Sequence, residues 1–416
     1  MKKIITNVIL VYPEKDVCEK GNIYIQDGKI CAPFDEAYGE IYDGGGLYAA
    51  PAFTDMHCHL REPGQTHKET IATGTAAAKA GGFCAVACMP NTNPSIDCEI
   101  VLNSVKKSVE SVGNCKVFPI AAITEGLASR KLTDMPALAK LGAIAFSDDG
   151  KPVAQSDMLM DAMKIAAEND LLMISHCEDM SLIGGCINEG AVSAQLGVKG
   201  LTGACEEICI ARDILLAKET GVRLHIAHVS TAYGVELIRM AKRLGVNVTA
   251  ETCPHYFSLD ESAVLQYGTN AKMNPPLRTE NDVDAIKQGL CDGTIDVIAT
   301  DHAPHTEQEK SQPLEKAPFG ISGLETAFSL CITNLYKTGA MTLPQIIKKL
   351  SLTPASILGT NSGSLRIGAD ADIVLFDPDE QYTANKNEFK SMGKNTPFHG
   401  VTLFGKVKKT FINGQE

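Results

Sequence analysis

Ala76-Ala77-Ala78-Lys79-Ala80-Gly81-Gly82-Phe83-Cys84-Ala85-Val86-Ala87-Cys88-Met89 reads as the end of a helix, a glycine stop and a short apolar strand. Alanine and lysine favour the helix. Gly81-Gly82 closes it, because glycine takes the left-handed stop conformation readily. The same punctuation returns at Gly142, Gly221 and Gly245, each just ahead of an apolar run. Eight such runs lie near 49–57, 83–89, 116–122, 143–148, 171–176, 223–229, 246–252 and 295–301. Between them, stretches such as 158–167, 208–218 and 235–244 have helical composition and 3.6-residue spacing. Eight strand–helix units in series predict a closed parallel (β/α)8 barrel, the TIM architecture. A doubly wound open sheet is the competing arrangement. The absence of a G-x-G-x-x-G turn after the first strand counts against it.

The flanks differ in texture. Residues 1–10 have the charge-then-apolar order of a signal peptide, but Asn7 interrupts them and Pro13-Glu14-Lys15-Asp16 follows with no small-residue cleavage site. A β-strand is the reading there. Residues 22–30 carry a hairpin signal with Asp27-Gly28 at the turn. Strands return at 372–377 and 400–412, after Gly359-Thr360-Asn361-Ser362-Gly363. The expected division is a barrel over 49–358 and a small β-sandwich built from both termini, 1–48 and 359–416.

The chain has 416 residues, 44% of them hydrophobic, enough for a large core. Its net charge of −12 argues against nucleic acid and anionic membranes as partners. No run approaches the roughly 18–20 apolar residues needed to span a bilayer. The 14 cysteines are scattered, with no CxxC pair, and read as buried free thiols of a cytoplasmic protein.

The chemistry collects at the strand ends, which form the active-site face of such a barrel. The first strand ends in Asp55-Met56-His57-Cys58-His59-Leu60-Arg61. Strand side chains alternate, so His57 and His59 share a face, where two imidazoles can hold one transition-metal ion. Taken alone, an HxH is as readily two buried histidines near a turn. The other ends alter that balance: Ser147-Asp148-Asp149-Gly150 on the fourth, His176 on the fifth, His228 on the sixth and Asp301 on the eighth. Four histidines and two aspartates on one rim exceed what one zinc takes, so two divalent ions are expected. Spacing does not choose between Asp148 and Asp149. His225, three residues before His228, is expected on the opposite face, packed between barrel and helices. His67 and His255 read as loop or supporting residues, His399 as structural, and His302 should point away from Asp301.

Together these residues resemble the amidohydrolase superfamily, and within it the bacterial dihydroorotases of the class I type. The motifs are His57-Cys58-His59-Leu60-Arg61-Glu62-Pro63-Gly64, Met89-Pro90-Asn91-Thr92, Ser147-Asp148-Asp149-Gly150, Asn274-Pro275-Pro276-Leu277-Arg278, Asp301-His302-Ala303-Pro304-His305 and Ala317-Pro318-Phe319-Gly320. The resemblance implies two zinc ions, with His57, His59 and Asp301 on one, His176 and His228 on the other, and Asp149 bridging them. Hydantoinases and other relatives use a modified lysine as the bridge, and the fourth strand, 143–149, has no lysine. Glu251-Thr252-Cys253-Pro254-His255-Tyr256 does resemble hydantoinase and allantoinase relatives.

The resemblance implies reversible closure of N-carbamoyl-L-aspartate to L-dihydroorotate. A zinc-bound water, acidified toward pH ~7, would attack the ring carbonyl while Asp301 shuttles the proton. The substrate carboxylate would lie in the fork of Arg61, which otherwise reads as a surface ion pair with Glu62. Asn91 and His305 would complete that pocket, and Asn274 with the backbone of Phe319 and Gly320 would contact the ring; Asn91 read alone is a turn residue. The polar stretch 306–318 is read either as a lid or as an ordinary exposed loop. A homodimer and association with aspartate transcarbamoylase belong to the same set of expectations. The alternatives are a hydantoinase- or allantoinase-like cyclic amidohydrolase and an inactive scaffold barrel, the latter opposed by the complete ligand set.

Overall fold

The computed structural model describes residues 2–416; Met1, first of the opening run, lies outside them. Eight parallel strands follow one another in sequence order: Phe53–Cys58, Phe83–Cys88, Lys116–Ala121, Ala145–Phe146, Leu172–Ser175, Arg223–Ile226, Val248–Thr252 and Val297–Ile298. The ring closes at its C-terminal rim, where Cys58 pairs with His302 in parallel and His59 N donates to His302 O at 2.8 Å. Helices such as Ile71–Ala80, Glu99–Val112, Ala204–Thr220 and Glu280–Asp292 return the chain between strands. The first of these ends where the sequence says it should. Gly82 has a φ of 95°, and a β-carbon there would lie 2.7 Å from the Phe53 ring. Backbone conformation and packing therefore both require glycine.

Two apolar layers result. Met56, Ala87, Ile120, Ala145, Ile174, Ala227 and Val297 fill the barrel interior. Phe53, Val86, Phe146, Leu224 and Ile286 pack between the strands and the helices. Each aromatic in that outer layer matters: truncating a buried phenylalanine such as Phe146, 1% exposed, to alanine costs about 3–5 kcal/mol.

Lys2–Tyr12, Val17–Gln26, Lys29–Ile30, Glu40–Asp43 and Tyr48–Pro51 join Ile373–Thr383 and Thr402–Phe411 in one seven-stranded mixed sheet. The unit expected from both termini thus takes the form of a single sheet over Ile5, Val8, Ile25, Leu375 and Phe411. The apolar run 49–57 divides at Ala52. Its first part, Tyr48–Pro51, lies antiparallel to Ile373–Thr383 in this sheet, and only Phe53–Cys58 enters the barrel. Among the described residues no helix is long and apolar enough to cross a membrane.

Candidate metal centre

Asp149 is the hub of the rim. Its Oδ1 lies 3.4 Å from His57 Nε2, 3.4 Å from His176 Nδ1 and 3.9 Å from His228 Nε2, and its Oδ2 lies 3.6 Å from His59 Nε2. Asp301 Oδ1 lies 3.1 Å from His59 Nε2 and 3.6 Å from His57 Nε2. All six side chains are buried. Within these six, two groups have ligand atoms close enough to share an ion, His57–Asp149–His228 and His57–His59–Asp301, with His57 common to both. The choice left open in the sequence falls to Asp149. Asp148 turns away and accepts from Ile123 N, Thr124 N and the Thr124 hydroxyl.

The donor set fits a pair of divalent cations. Three histidines have their outer nitrogen occupied by an acceptor: His57 Nδ1 donates to Glu251 Oε1 at 2.8 Å, His59 Nδ1 to Asn91 Oδ1 at 2.9 Å and His176 Nε2 to Glu178 Oε2 at 3.2 Å. A neutral ring that donates through one nitrogen presents a lone pair at the other. With the rings neutral, as ligation requires, the inner nitrogens would aim lone pairs at carboxylates and at one another, with His176 Nδ1 only 2.8 Å from His228 Nε2. Without an ion, and against burial, the same carboxylates raise the pKa of His57 and push that of His176 up to about 10. His57 Nε2 is fully buried and has no hydrogen-bond partner. Cations between these atoms relieve the repulsion, and the 3–4 Å separations suit ligands that each lie about 2.0–2.2 Å from a shared ion.

Electrostatics follow from this packing. Burial alone would raise the Asp301 pKa, but hydrogen bonding to His59 and the neighbouring imidazoles hold it well below the usual carboxylate range. Burial lowers His59, against the pull of Asp301, and keeps the ring neutral. Beneath the rim, Asp55 accepts from Thr300 N at 2.9 Å and Thr300 Oγ1 at 2.6 Å, and burial pushes its pKa up to about 7.

Three site residues hold left-handed backbone: Arg61 (φ 60°), His228 (φ 35°) and Asp301 (φ 44°). Such conformations cost about 1–3 kcal/mol each in non-glycine residues and gather where function requires an aimed side chain. All three lie just past the end of a strand, where the chain turns to point them at the rim.

His225 corrects the sequence reading. It does not pack outside the barrel: it pairs with Ile174 of the interior layer, and its ring meets Thr249 Oγ1 at 2.8 Å and Glu251 Oε2 at 3.2 Å. Counting alternate residues from His225 to His228 fails because the strand ends at Ile226 and His228 is left-handed. His302 does point away from Asp301, into Glu69 at 3.3 Å. His255 is buried beside Tyr256, and burial lowers its pKa to about 4; His67 and His399 are exposed.

The residues expected around the substrate border this centre. Arg61 Nε donates to Pro304 O at 3.3 Å, and Arg61 makes no pair with Glu62, whose carboxylate instead accepts from Ile71 N and Ser108 Oγ. His305 Nε2 lies 2.8 Å from Phe319 O. Asn91 is more than a turn residue: its Nδ2 donates to Asp149 Oδ2 at 2.9 Å. Asn274 Nδ2 donates to Glu178 Oε1 at 3.1 Å. The stretch 306–318 is anchored, because buried Lys310 donates to Lys272 O, Pro318 O and Gly320 O, and Lys272 donates to Leu314 O.

Sequence reasoning missed Glu178, Glu251 and Asn395. The carboxamide of Asn395, from the C-terminal region, accepts from His305 N and donates to Ala303 O and Gly320 O. It ties together the loops that follow the eighth strand. A carboxylate inside an apolar strand run was the available signal for Glu251. Nothing local marks Asn395.

A family model described as "Dihydro-orotase-like" matches residues 47–233. The chain is 50% identical over 401 residues to a dihydroorotase of Caldanaerobacter subterraneus, covering 95% of this chain and 93% of that one. It is 47% identical over 418 residues to a dihydroorotase of Ruminiclostridium cellulolyticum, covering 100% and 98%. Among solved structures, an L-hydantoinase of Arthrobacter aurescens superposes with a TM-score of 0.90 at 24% identity, covering 99% of this chain and 95% of that one. That last likeness is one of fold.

Proposed function

The chain belongs to the dihydroorotase family of the amidohydrolase superfamily, and from that premise we propose that it catalyses the reversible closure of N-carbamoyl-L-aspartate to L-dihydroorotate and water, the ring-forming step of pyrimidine synthesis. The observation that carries the reading is Asp149, whose two oxygens face four histidines within 3.9 Å.

In this reading His57, His59 and Asp301 would hold one zinc ion and His176 and His228 a second, with Asp149 placed to serve both. When bound, the ions supply a water acidified toward neutral pH and a Lewis acid for the ring carbonyl. The chain's own residues do the rest. Asp301, held as a carboxylate, accepts a proton from the attacking water and returns it to the ring nitrogen as the carbon–nitrogen bond breaks. In the closing direction the same carboxyl takes the proton from the carbamoyl nitrogen and releases it to the departing water. Glu251, Asn91 and Glu178 fix the rings of His57, His59 and His176, so the ligand lone pairs point inward before any ion arrives.

Arg61 offers a fork to the substrate carboxylate, with Asn91 and His305 beside it, and Asn274, Phe319 and Gly320 frame the ring. The division into a barrel over 49–358 and a terminal unit from 1–48 and 359–416 belongs to this reading, as does a cytoplasmic setting for 14 unpaired cysteines. So do a homodimer and association with aspartate transcarbamoylase, which sedimentation alone and with that enzyme tests. For the activity, the experiment is dihydroorotate turnover and elemental analysis on one purified sample. The expected result is turnover that chelation abolishes and zinc restores. Metal-replete protein that leaves dihydroorotate unopened overturns the proposal.

A further inference from the structure

His305 has two ring nitrogens and, within hydrogen-bonding distance, three polar neighbours that cannot all be satisfied by one tautomer. Nδ1 faces the Lys68 ammonium at 3.4 Å, while Glu309 Oε2 lies farther off at 3.6 Å, beyond hydrogen-bonding distance and already accepting from Thr306 N. Nε2 faces Phe319 O at 2.8 Å and Arg61 Nη2 at 3.3 Å. Burial, then the charges of Arg61, Lys68 and Lys310, push the ring pKa down to about 2, so the ring is neutral and carries one proton. With the proton on Nδ1, an N–H would face an ammonium that has only donors, and Phe319 O would lose its partner. With the proton on Nε2, Lys68 donates to Nδ1 and Nε2–H donates to the carbonyl, and only the longer Arg61 contact is left unmatched.

We infer that Lys68 is a positioning residue that fixes His305 as the Nε2–H tautomer, so that the one N–H of this ring points to the side of Phe319 O and Arg61, where it is shared between that carbonyl and the carboxylate of the substrate. Lys68 is itself held. Its ammonium lies 3.0 Å from Glu309 Oε1, and the other Glu309 oxygen caps Thr306 N at 3.0 Å. The short helix Glu307–Lys310 thereby sets the lysine, the lysine sets the imidazole, and the imidazole faces Phe319 and Arg61. The inference rests on the proposed function for the identity of the carboxylate. The tautomer itself does not depend on it.

The test pairs kinetics with spectroscopy. In K68M, KM for dihydroorotate is expected to rise about tenfold with kcat within about twofold, because the lost donor contacts a part of the substrate that does not react. K68R, which keeps a cationic donor at Nδ1, is expected to stay within about threefold of wild type. Ring nitrogen-15 shifts of His305, assigned by their loss in H305Q, are expected to show Nε2–H in the wild type and a mixture of tautomers in K68M. Unchanged KM in K68M, or Nδ1–H in the wild type, overturns the inference. Wild-type protein that does not turn over dihydroorotate removes the proposed function, and the nitrogen shifts alone then decide the role of Lys68. Should K68M fail to fold, the wild-type and K68R spectra decide it.

Discussion

Glu251 Oε1 accepts from His57 Nδ1 at 2.8 Å, and both side chains are sealed from solvent. This contact aims the one imidazole common to both close-packed groups of ligand atoms. The other Glu251 oxygen faces His225, so a single carboxylate orients one ring at the rim and meets another inside the barrel. Burial opposes its ionisation, but the nearby His225 and the hydrogen bond to His57 outweigh burial and lower its pKa to about 2.

E251Q keeps the shape and removes the charge. A neutral amide accepts more weakly from His57, and losing such a supporting partner typically costs 10–100-fold in metal affinity or activity. After dialysis against a chelator, E251Q should retain less metal than wild type, by elemental analysis. Equal retention together with equal kcat/KM would show that Glu251 merely fills space.

D301N separates metal binding from proton transfer. Asparagine can still offer an oxygen toward His57 and His59 but cannot carry the proton. Turnover is expected to fall by roughly 10²–10⁴-fold, the range for loss of a positioned acid–base group. Metal content should remain near that of wild type. A D301N enzyme with full metal and wild-type rate would remove Asp301 from the shuttle.

What the sequence revealed of this fold and site follows from where its rules apply. Strands announce themselves by apolar runs with a glycine stop, so all eight are legible; even the two-residue strand Ala145–Phe146 lies inside the run 143–148. His57 and His59 are legible as a pair because His57 lies in the strand and His59 only one residue past its end, so their alternation survives the shift in register between Asp55 and Cys58. Farther past a strand end it does not. Asp148 and Asp149 follow Phe146, and His228 follows Ile226, so neither the choice between the aspartates nor the direction of His225 could be counted out. Asn395 lies about 90 residues from His305, and only the packing of the C-terminal region against the barrel brings them together. Lys68 is invisible for the same reason, since its partners His305 and Glu309 are distant in the chain, whereas Glu178 lies only two residues from His176 but past the strand end, where its direction could not be counted out.

R61M tests which ring the site accepts. The guanidinium is buried beside His305 and lowered below its ordinary pKa, chiefly by burial, against the pull of Asp301 and Asp149. A hydrogen bond to a charged group contributes about 1.5–3 kcal/mol, so kcat/KM for dihydroorotate should fall by roughly 10–150-fold. Hydantoin and allantoin lack the carboxylate. An enzyme built for those rings would lose little on the same substitution, and side-by-side kinetics of wild type and R61M with dihydroorotate give the answer.

Stability should fall steeply in alkali, and the thiols explain why. Cys88 is 4% exposed on the second barrel strand, and burial pushes its pKa up to about 12 from 9.0, with backbone hydrogen bonds offsetting part of the rise. Burial raises Cys58, Cys84 and Cys253 as well. The folded pKa lies above the unfolded one. Each thiol therefore stabilises the fold fully below the unfolded value, and that contribution is lost as pH climbs toward the folded value. For Cys88 the window runs from 9.0 to about 12. At 1.36 kcal/mol per unit, the loss from this residue alone would be on the order of 4 kcal/mol at the top of that window, and less where the exposed chain is only partly ionised. Urea midpoints measured between pH 7 and 10.5 should drop above pH 9. C88A, which removes the proton that must be lost, should show a shallower slope there even though its cavity lowers the midpoint at pH 7. Parallel slopes for the two proteins would mean that Cys88 does not titrate on unfolding.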